Sequence, residues 1–312
     1  MKRIYWIAGI LLGGLLFWGV FFFPVAVSKK VEVPYSMFRC GEQLNNPEAW
    51  KRWYFPFTGE ETITTSKDKN KIQTRDYSLA VSAITMYSAV LEAGYKKKKK
   101  FFSFAALTDT SDVTVSDITL SYSTTLFRKW FAKTKLEKNA EKSLENLKDY
   151  MTDTRRFYGF EIQRVTVEDT AFLFMRKVVP LTERREATRK IYEKLIAYAE
   201  NKKAGYNGTR IYYTLKSGNE ITIFASIGVT NPGQTKPGEE VQYKRMPYGK
   251  NLLVTIYQGP FSGSEKAFKA LEAFKKDHNL SSMAIPFQKF MSDGYDFADD
   301  QAVQLKVYYP VF

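Results

Sequence analysis

The chain has one cysteine, Cys40, and one histidine, His278, among 312 residues. A single cysteine excludes an intramolecular disulfide, a thiolate zinc cluster and a redox pair. A metal site built on several histidines would need partners that this chain does not have. His278 stands at the end of a predicted helix, where it reads as a partner for the C-terminal dipole. Negative charge is also scarce: 33 Asp and Glu face 47 Lys and Arg, a formal net charge of +14. Such basicity permits binding to nucleic acid or anionic lipid. Yet no helix-turn-helix or aromatic-basic RNA motif accompanies the densest run, Lys96 to Lys100. That run reads as a strand end or turn with solvated lysines. No nucleic-acid partner, metal or cofactor is expected. Aromatic residues, by contrast, are plentiful at 16%, including 20 Tyr and 24 Phe. They supply material for packed cores and for ring-walled pockets.

Near the N-terminus, Ile4 to Val27 form an uncharged apolar stretch of about 24 residues, enough to span a bilayer with some tilt. It exceeds the usual apolar region of a signal peptide, and Phe21-Phe22-Phe23-Pro24 is a poor approach to a cleavage site. Residues 1–27 are therefore expected to be a retained transmembrane helix. The amino terminus, Lys2 and Arg3 outweigh Lys29 and Lys30. This predicts a single-pass membrane protein whose soluble part lies on the extracytoplasmic side.

Residues 28–158 alternate strand-like runs with polar turns. Lys29 to Val33 reads as a strand and Pro34 to Leu44 as a short helix. Strand candidates follow at 72–78, 83–90, 101–107 and 113–122. Leu136, Ala140, Leu144, Leu147 and Met151 then fall at spacings of 4, 4, 3 and 4, one apolar helical face. The opening Lys29-Lys30-Val31-Glu32-Val33-Pro34, the segment Asn46 to Trp53 and the closing helix around Ala140 to Lys148 resemble the SRPBCC superfamily of START-like and polyketide-cyclase-like proteins. The resemblance implies a helix-grip domain with a cavity between sheet and helix, which Trp50 and Trp53 would line or plug.

The last half contains an internal repeat with an offset of about 80 residues. One unit runs from Phe172-Leu173-Phe174-Met175 to Val229. The other runs from Leu252-Leu253-Val254 to Val311, with Pro180 answering Pro260. Each reads strand, helix, strand, strand. Val254 to Phe261, the helix Ala267 to Phe274, Pro286 to Phe290 and Val307-Tyr308-Tyr309-Pro310-Val311 are similar to the GyrI-like, or bacterial transcription-activator effector-binding, domain. The expected class is thus α+β: an N-terminal transmembrane helix, a helix-grip domain, then a GyrI-like domain over 159–312. Its modules would span about 165–230 and 241–312.

Two modules side by side leave a groove, and strand alternation suggests which side chains face it. Val303, Leu305, Val307 and Tyr309 are apolar and should pack on the helices. Gln304, Lys306 and Tyr308 would face the groove, answered by Thr222, Phe224 and Ser226 in the first module. Thr255 and Tyr257, and on earlier strands Met175 and Tyr212, are assigned to the same side. The candidate ligand-binding set is therefore Met175, Tyr212, Phe224, Tyr257, Lys306 and Tyr308, with Trp50 and Trp53 in the other domain. In the resembling family an acidic residue commonly precedes the closing proline and attracts cationic drugs. Here Lys306 occupies that place, which suggests an anionic or neutral amphiphile.

The expected function is a membrane-anchored, non-enzymatic binding or sensing protein for a small hydrophobic or amphiphilic molecule. Two alternatives stand beside it. One is a hydrolase, which would need Glu161, Glu168, Glu183 or Glu220 in the groove. The other is a structural or interaction protein at the membrane surface. No catalytic residue is assigned.

Overall fold

The computed structural model describes residues 13–14, 17–60, 62–66, 70–108, 112–168, 171–231, 240–249, 251–282, 284–291, 294 and 297–311. The chain folds as two units, residues 1–153 and 154–312, each built on one antiparallel sheet.

The N-terminal apolar stretch is not a single helix. Its last residues, Pro24–Val27, open strand β1 (Pro24–Val33), which pairs with β7 (Ser116–Thr125) from Pro24↔Thr125 to Val33↔Ser116. Val27, Val31 and Val33 point into the core while Lys30 and Glu32 point out, the period-two pattern of a half-buried strand. Residues 1–12 and 15–16 of the expected anchor lie outside the described residues. Among the described residues no helix is long and apolar enough to cross a membrane. This overturns the single-pass localisation expected from the sequence, and with it the side assigned to the rest of the chain.

After β1 come helices α1 (Met37–Asn45) and α2 (Pro47–Trp53), capped by the side chains of Ser36 and Asn46. Strands β2 (Thr64–Thr65), β3 (Lys71–Gln73), β4 (Tyr77–Thr85), β5 (Ser88–Tyr95) and β6 (Lys98–Thr108) then lead to β7. The sheet order is β1-β7-β6-β5-β4-β3-β2. A short helix, α3 (Leu126–Trp130), precedes the long helix α4 (Lys135–Thr152), whose apolar face Leu136, Ala140, Leu144, Leu147 and Met151 is buried. Trp50 and Trp53 are fully buried as well. Their indole N–H groups donate to the carbonyls of Leu44 and Gln43. Both tryptophans are thus satisfied core residues. Cys40 is buried on α1, and burial pushes its thiol up to about 12, which makes it a poor nucleophile.

One buried charge anchors α4. Thr134 and Glu137 form a capping box, and the Glu137 side chain, with no exposed surface, is ion-paired to Lys100 of β6. Burial acts to raise this carboxyl; the Lys100 ammonium and the Thr134 backbone N–H outweigh it and hold it at about 2. A depressed carboxyl contributes stability that is complete above its ordinary value and lost as pH falls through its folded value. The unit should therefore lose stability between pH 4.5 and about 2. Lys100→Met, which strands the carboxylate, should lower unfolding free energy by about 3–5 kcal/mol in urea titration at pH 7. Glu137→Gln should flatten the acid limb.

The second unit opens with the short helix α5 (Thr154–Tyr158) and β8 (Gln163–Thr166). The first module comprises β9 (Ala171–Pro180), α6 (Arg184–Asn201), β10 (Tyr206–Ser217) and β11 (Glu220–Val229). After β12 (Gln242–Arg245), the second module repeats the order with β13 (Asn251–Pro260), α7 (Glu265–Asp277), β14 (Phe287–Phe290) and β15 (Ala302–Pro310). In each module a proline ends the first strand and a single 3-10 turn leads into the helix. The sheet runs β12-β9-β11-β10-β14-β15-β13-β8. The modules exchange edges. The strand preceding the first module, β8, covers β13 of the second. The strand preceding the second, β12, covers β9 of the first. Both exposed ladders are thereby paired.

The core shared with the helices takes Leu173, Met175, Tyr212, Ala225, Tyr257 and Leu305, among others. His278 caps α7 and packs on Phe274, with ring centroids 4.1 Å apart. Burial lowers its pKa below 6.5, so it is a neutral packed ring at pH 7 rather than a dipole cation. Tyr257 donates its hydroxyl to the Pro260 carbonyl at 2.6 Å. A Cβ on Gly263 would stand 2.2 Å from that hydroxyl oxygen. Tyr257→Phe should cost about 1 kcal/mol, and Gly263→Ala about 1–3 kcal/mol. Thermal unfolding should show Gly263→Ala costing less in the Tyr257→Phe background, because the clash is then relieved.

Candidate functional site

The face of the eight-stranded sheet away from the helices carries two adjoining cavities. The larger, of about 510 Å³, is lined by Gln163, Val165, Val254, Ile256, Lys306 and Tyr308, with Arg155 and Glu161 at its edge. The smaller, of about 220 Å³, takes Glu168, Phe172, Leu252, Phe287 and Lys289, and shares Val165, Lys306 and Tyr308 with the first. The larger volume falls in the range of small-molecule sites.

Strand register builds these walls. Ile256 pairs with Lys306 and Val254 with Tyr308 across β13 and β15. Phe287 pairs with Tyr308, and Lys289 with Lys306, across β14 and β15. Directly paired residues share a face, so all six look into the same space. Phe287 and Tyr308 stack with centroids 5.0 Å apart and planes 20° from parallel, a flat apolar wall between the cavities. Ile256 is 52% exposed beside it. Thr255 donates its hydroxyl to the Glu161 carbonyl at 2.8 Å, which fixes the segment before β8 over the larger cavity.

Lysines 289 and 306 sit opposite each other in register. Among the described residues no carboxylate pairs with Lys306. Glu161 lines the same cavity, but its side chain accepts from Gln163 Nε2 at 2.9 Å. Glu168 edges the smaller cavity.

Of the residues assigned to the groove from the sequence, Lys306 and Tyr308 line both cavities. Phe224 is on the same face but within the first module, where its ring stacks near Phe174 and Tyr213. Arg176 lies over the Phe224 ring at 5.5 Å, and Lys244 over that of Phe174 at 5.1 Å. This half of the face is filled by its own side chains. Met175, Tyr212 and Tyr257 belong to the core on the helix side, whereas Thr255, although buried, lines the larger cavity. The sequence assignment placed Thr255 and Tyr257 on the face of Lys306. The register Ile256↔Lys306 and Tyr257↔Leu305 puts Tyr257 on the other. Likewise Met175 and Tyr212 each pair with Ala225, whose side faces α6. Trp50 and Trp53 are buried in the first unit's core. The assignment missed Val254, Ile256, Phe287 and Lys289, which were within reach once register was known. Of the four carboxylates that the hydrolase alternative required, Glu161 and Glu168 line the cavities. These two flank β8, a four-residue strand with little apolar alternation. Glu183 and Glu220 are exposed, at the turn before α6 and at the start of β11.

No protein-family model matches the sequence, and no curated protein matches it. Solved structures share its outline. The C-terminal domain of EcmrR is similar at 16% identity and a TM-score of 0.36, covering 49% of this chain and 98% of its own. A hydrolase from Listeria innocua is similar at 14% identity and a TM-score of 0.36, covering 48% of this chain and 91% of its own. DynU16, from the dynemicin biosynthetic locus, reaches 91% of this chain and 86% of its own at 10% identity and a TM-score of 0.29. At these identities and scores the likeness is one of outline, and the functional reading rests on the site itself.

Proposed function

We propose that the second unit is a small-molecule binding module of the effector-binding type, and that its ligand is an amphiphile with an anionic head and a flat apolar body. The observation that carries this is the union of an apolar ring wall with a lysine that has no carboxylate partner among the described residues. Phe287 and Tyr308 offer a stacked surface, Val254 and Ile256 extend it, and Lys306 stands at the junction of the two cavities. An anion at Lys306 would give that ammonium a charge-assisted partner. An apolar body on the rings would shed water from Ile256 and Tyr308. The role is one of binding, with GyrI-like effector domains as the family it resembles.

The groove carboxylates favour a second reading. Glu161 and Tyr308 line the same cavity, the pairing a hydrolase would use as base and electrophile. Against it, Glu161 is exposed and engaged with Gln163.

Two fluorescence titrations test the first reading, with the anion 8-anilinonaphthalene-1-sulfonate and the cation tetraphenylphosphonium. Lys306→Glu should weaken the anion about tenfold, roughly one charge-assisted contact, and strengthen the cation. Tyr308→Ala should weaken both. Unchanged affinities in both variants would sink the proposal. For the second reading, p-nitrophenyl acetate hydrolysis should exceed buffer and fall about 100-fold in Glu161→Gln; a wild-type rate equal to buffer removes it.

A further inference from the structure

The first unit holds a further cavity, separate from the two already described. It is an open cleft of about 830 Å³ lined by Tyr95, the run Lys96 to Lys100, Arg128 and the first residues of α4, Thr134 to Leu136. Seven cations thus border one space. Their placement follows from the β5–β6 hairpin. Tyr95 pairs with Lys98, Gly94 with Lys99 and Ala93 with Lys100, which leaves Lys96 and Lys97 as the two-residue turn. Lys96 has φ 54°, a conformation that favours Gly or Asn in such turns and disfavours a residue with a Cβ. The turn therefore keeps a lysine where backbone preference argues against one.

The seven are not equivalent. Lys100 is taken by Glu137 and Lys99 by Glu92. Lys135 is seated on rings, its Nζ 4.3 Å from the Tyr95 centroid and 5.2 Å from that of Tyr77, and those two rings lie 4.9 Å apart. This aromatic seat fixes one ammonium at the cleft without neutralising it. Lys97, Lys98 and Arg128 are exposed, and among the described residues no carboxylate pairs with any of them. A solvated lysine face would spread its charges apart; here they converge on one concavity, where like charges raise each other's cost of remaining unmatched.

We infer that this cleft binds a small polyanion carrying clustered phosphate groups. Seven cations minus two committed to carboxylates leaves five, Lys96, Lys97, Lys98, Arg128 and Lys135, to face it. That number suits several phosphate oxygens rather than a single carboxylate. Arg128 supplies a planar fork for a bidentate contact, and the lysines act as point charges. The chemistry is common to a soluble polyphosphate and to a polyphosphorylated headgroup.

Isothermal titration of the full chain with sodium tripolyphosphate tests this. Binding should be measurable and weaken with added salt. The variant Lys97→Ser/Lys98→Ser/Arg128→Ser should lose at least about tenfold in affinity. A control, Lys177→Ser/Lys216→Ser/Lys266→Ser, removes the same charge from the other unit and should bind as wild type. Matching thermal midpoints for the two triple variants will show that both are folded. No detectable binding, equal weakening by both variants, or inorganic phosphate binding as tightly as tripolyphosphate would each overturn the proposal. Phosphatidylcholine vesicles with and without a phosphatidylinositol bisphosphate separate the sources. Retention on the phosphorylated vesicles alone assigns a headgroup; tripolyphosphate binding without retention assigns a soluble ligand.

Discussion

The candidate groove depends on the pairing of β8 with β13. Without β8, strand β13 would be a bare edge, and its outward face would be open sheet rather than the wall of a cavity. The pairs Gln163↔Val254 and Val165↔Leu252 lay the segment 161–168 along that edge, and Thr255 ties its start through the Glu161 carbonyl. The same device closes the opposite edge, where β12 pairs with β9. Each module is completed by chain that belongs, in sequence, to the approach to the other. The two modules therefore cannot be separated without exposing two ladders, and the groove is a property of the pair.

Duplication of topology did not bring duplication of the face. In the first module Phe174 and Phe224 stack, with Lys244 and Arg176 laid over their rings. Large side chains and cations there satisfy one another, and burial lowers the pKa of Lys244. In the second module the corresponding strands carry Val254, Ile256, Lys306 and Tyr308, and space remains beside them. A pocket on one side of a pseudo-symmetric sheet follows from that difference in how the face is filled.

What was legible in the sequence was what period and punctuation encode. The repeat, the strand-ending Pro180 and Pro260, and the buried face of α4 all rest on local signals. What was not legible rests on partners distant in sequence. The strand candidate 83–90 straddles a hairpin turn at Met86-Tyr87 that has no Gly, Pro or Asn. That turn is held instead by a hydroxyl bond between Thr85 and Ser88 and by Asn45 donating to the Thr85 carbonyl. It also needs Gly41, where a Cβ would stand 2.2 Å from the Met86 oxygen. Alternation along β13 and β15 was visible, but the relative phase of the two strands was not, and a slip of one residue exchanges every side chain between faces. That single unknown moved Tyr257 into the core and brought Ile256 to the groove. The N-terminal stretch failed differently: its apolar content was read as length of helix, whereas β1 begins inside it at Pro24.

The distribution of positive charge separates structure from site. Where a lysine serves the fold, a carboxylate accompanies it: Lys100 with buried Glu137, Lys133 and Lys29 with Glu141. Such pairs are partly shielded, and their geometry is set by packing, so they hold a strand to a helix. Lys306, and Lys96, Lys97 and Lys98 of the hairpin, lack that accompaniment among the described residues, and both groups stand at concave surfaces beside tyrosine rings. A +14 chain gains solubility from lysines placed anywhere on its surface. Solubility does not require two lysines opposed across adjacent strands, nor a lysine at a positive φ in a two-residue turn. An external anion at either concavity would match ammonium groups, such as Lys306 and Lys97, that no described carboxylate matches. That unmatched charge at a concave surface, more than the net charge, is what the proposed binding at both places rests on.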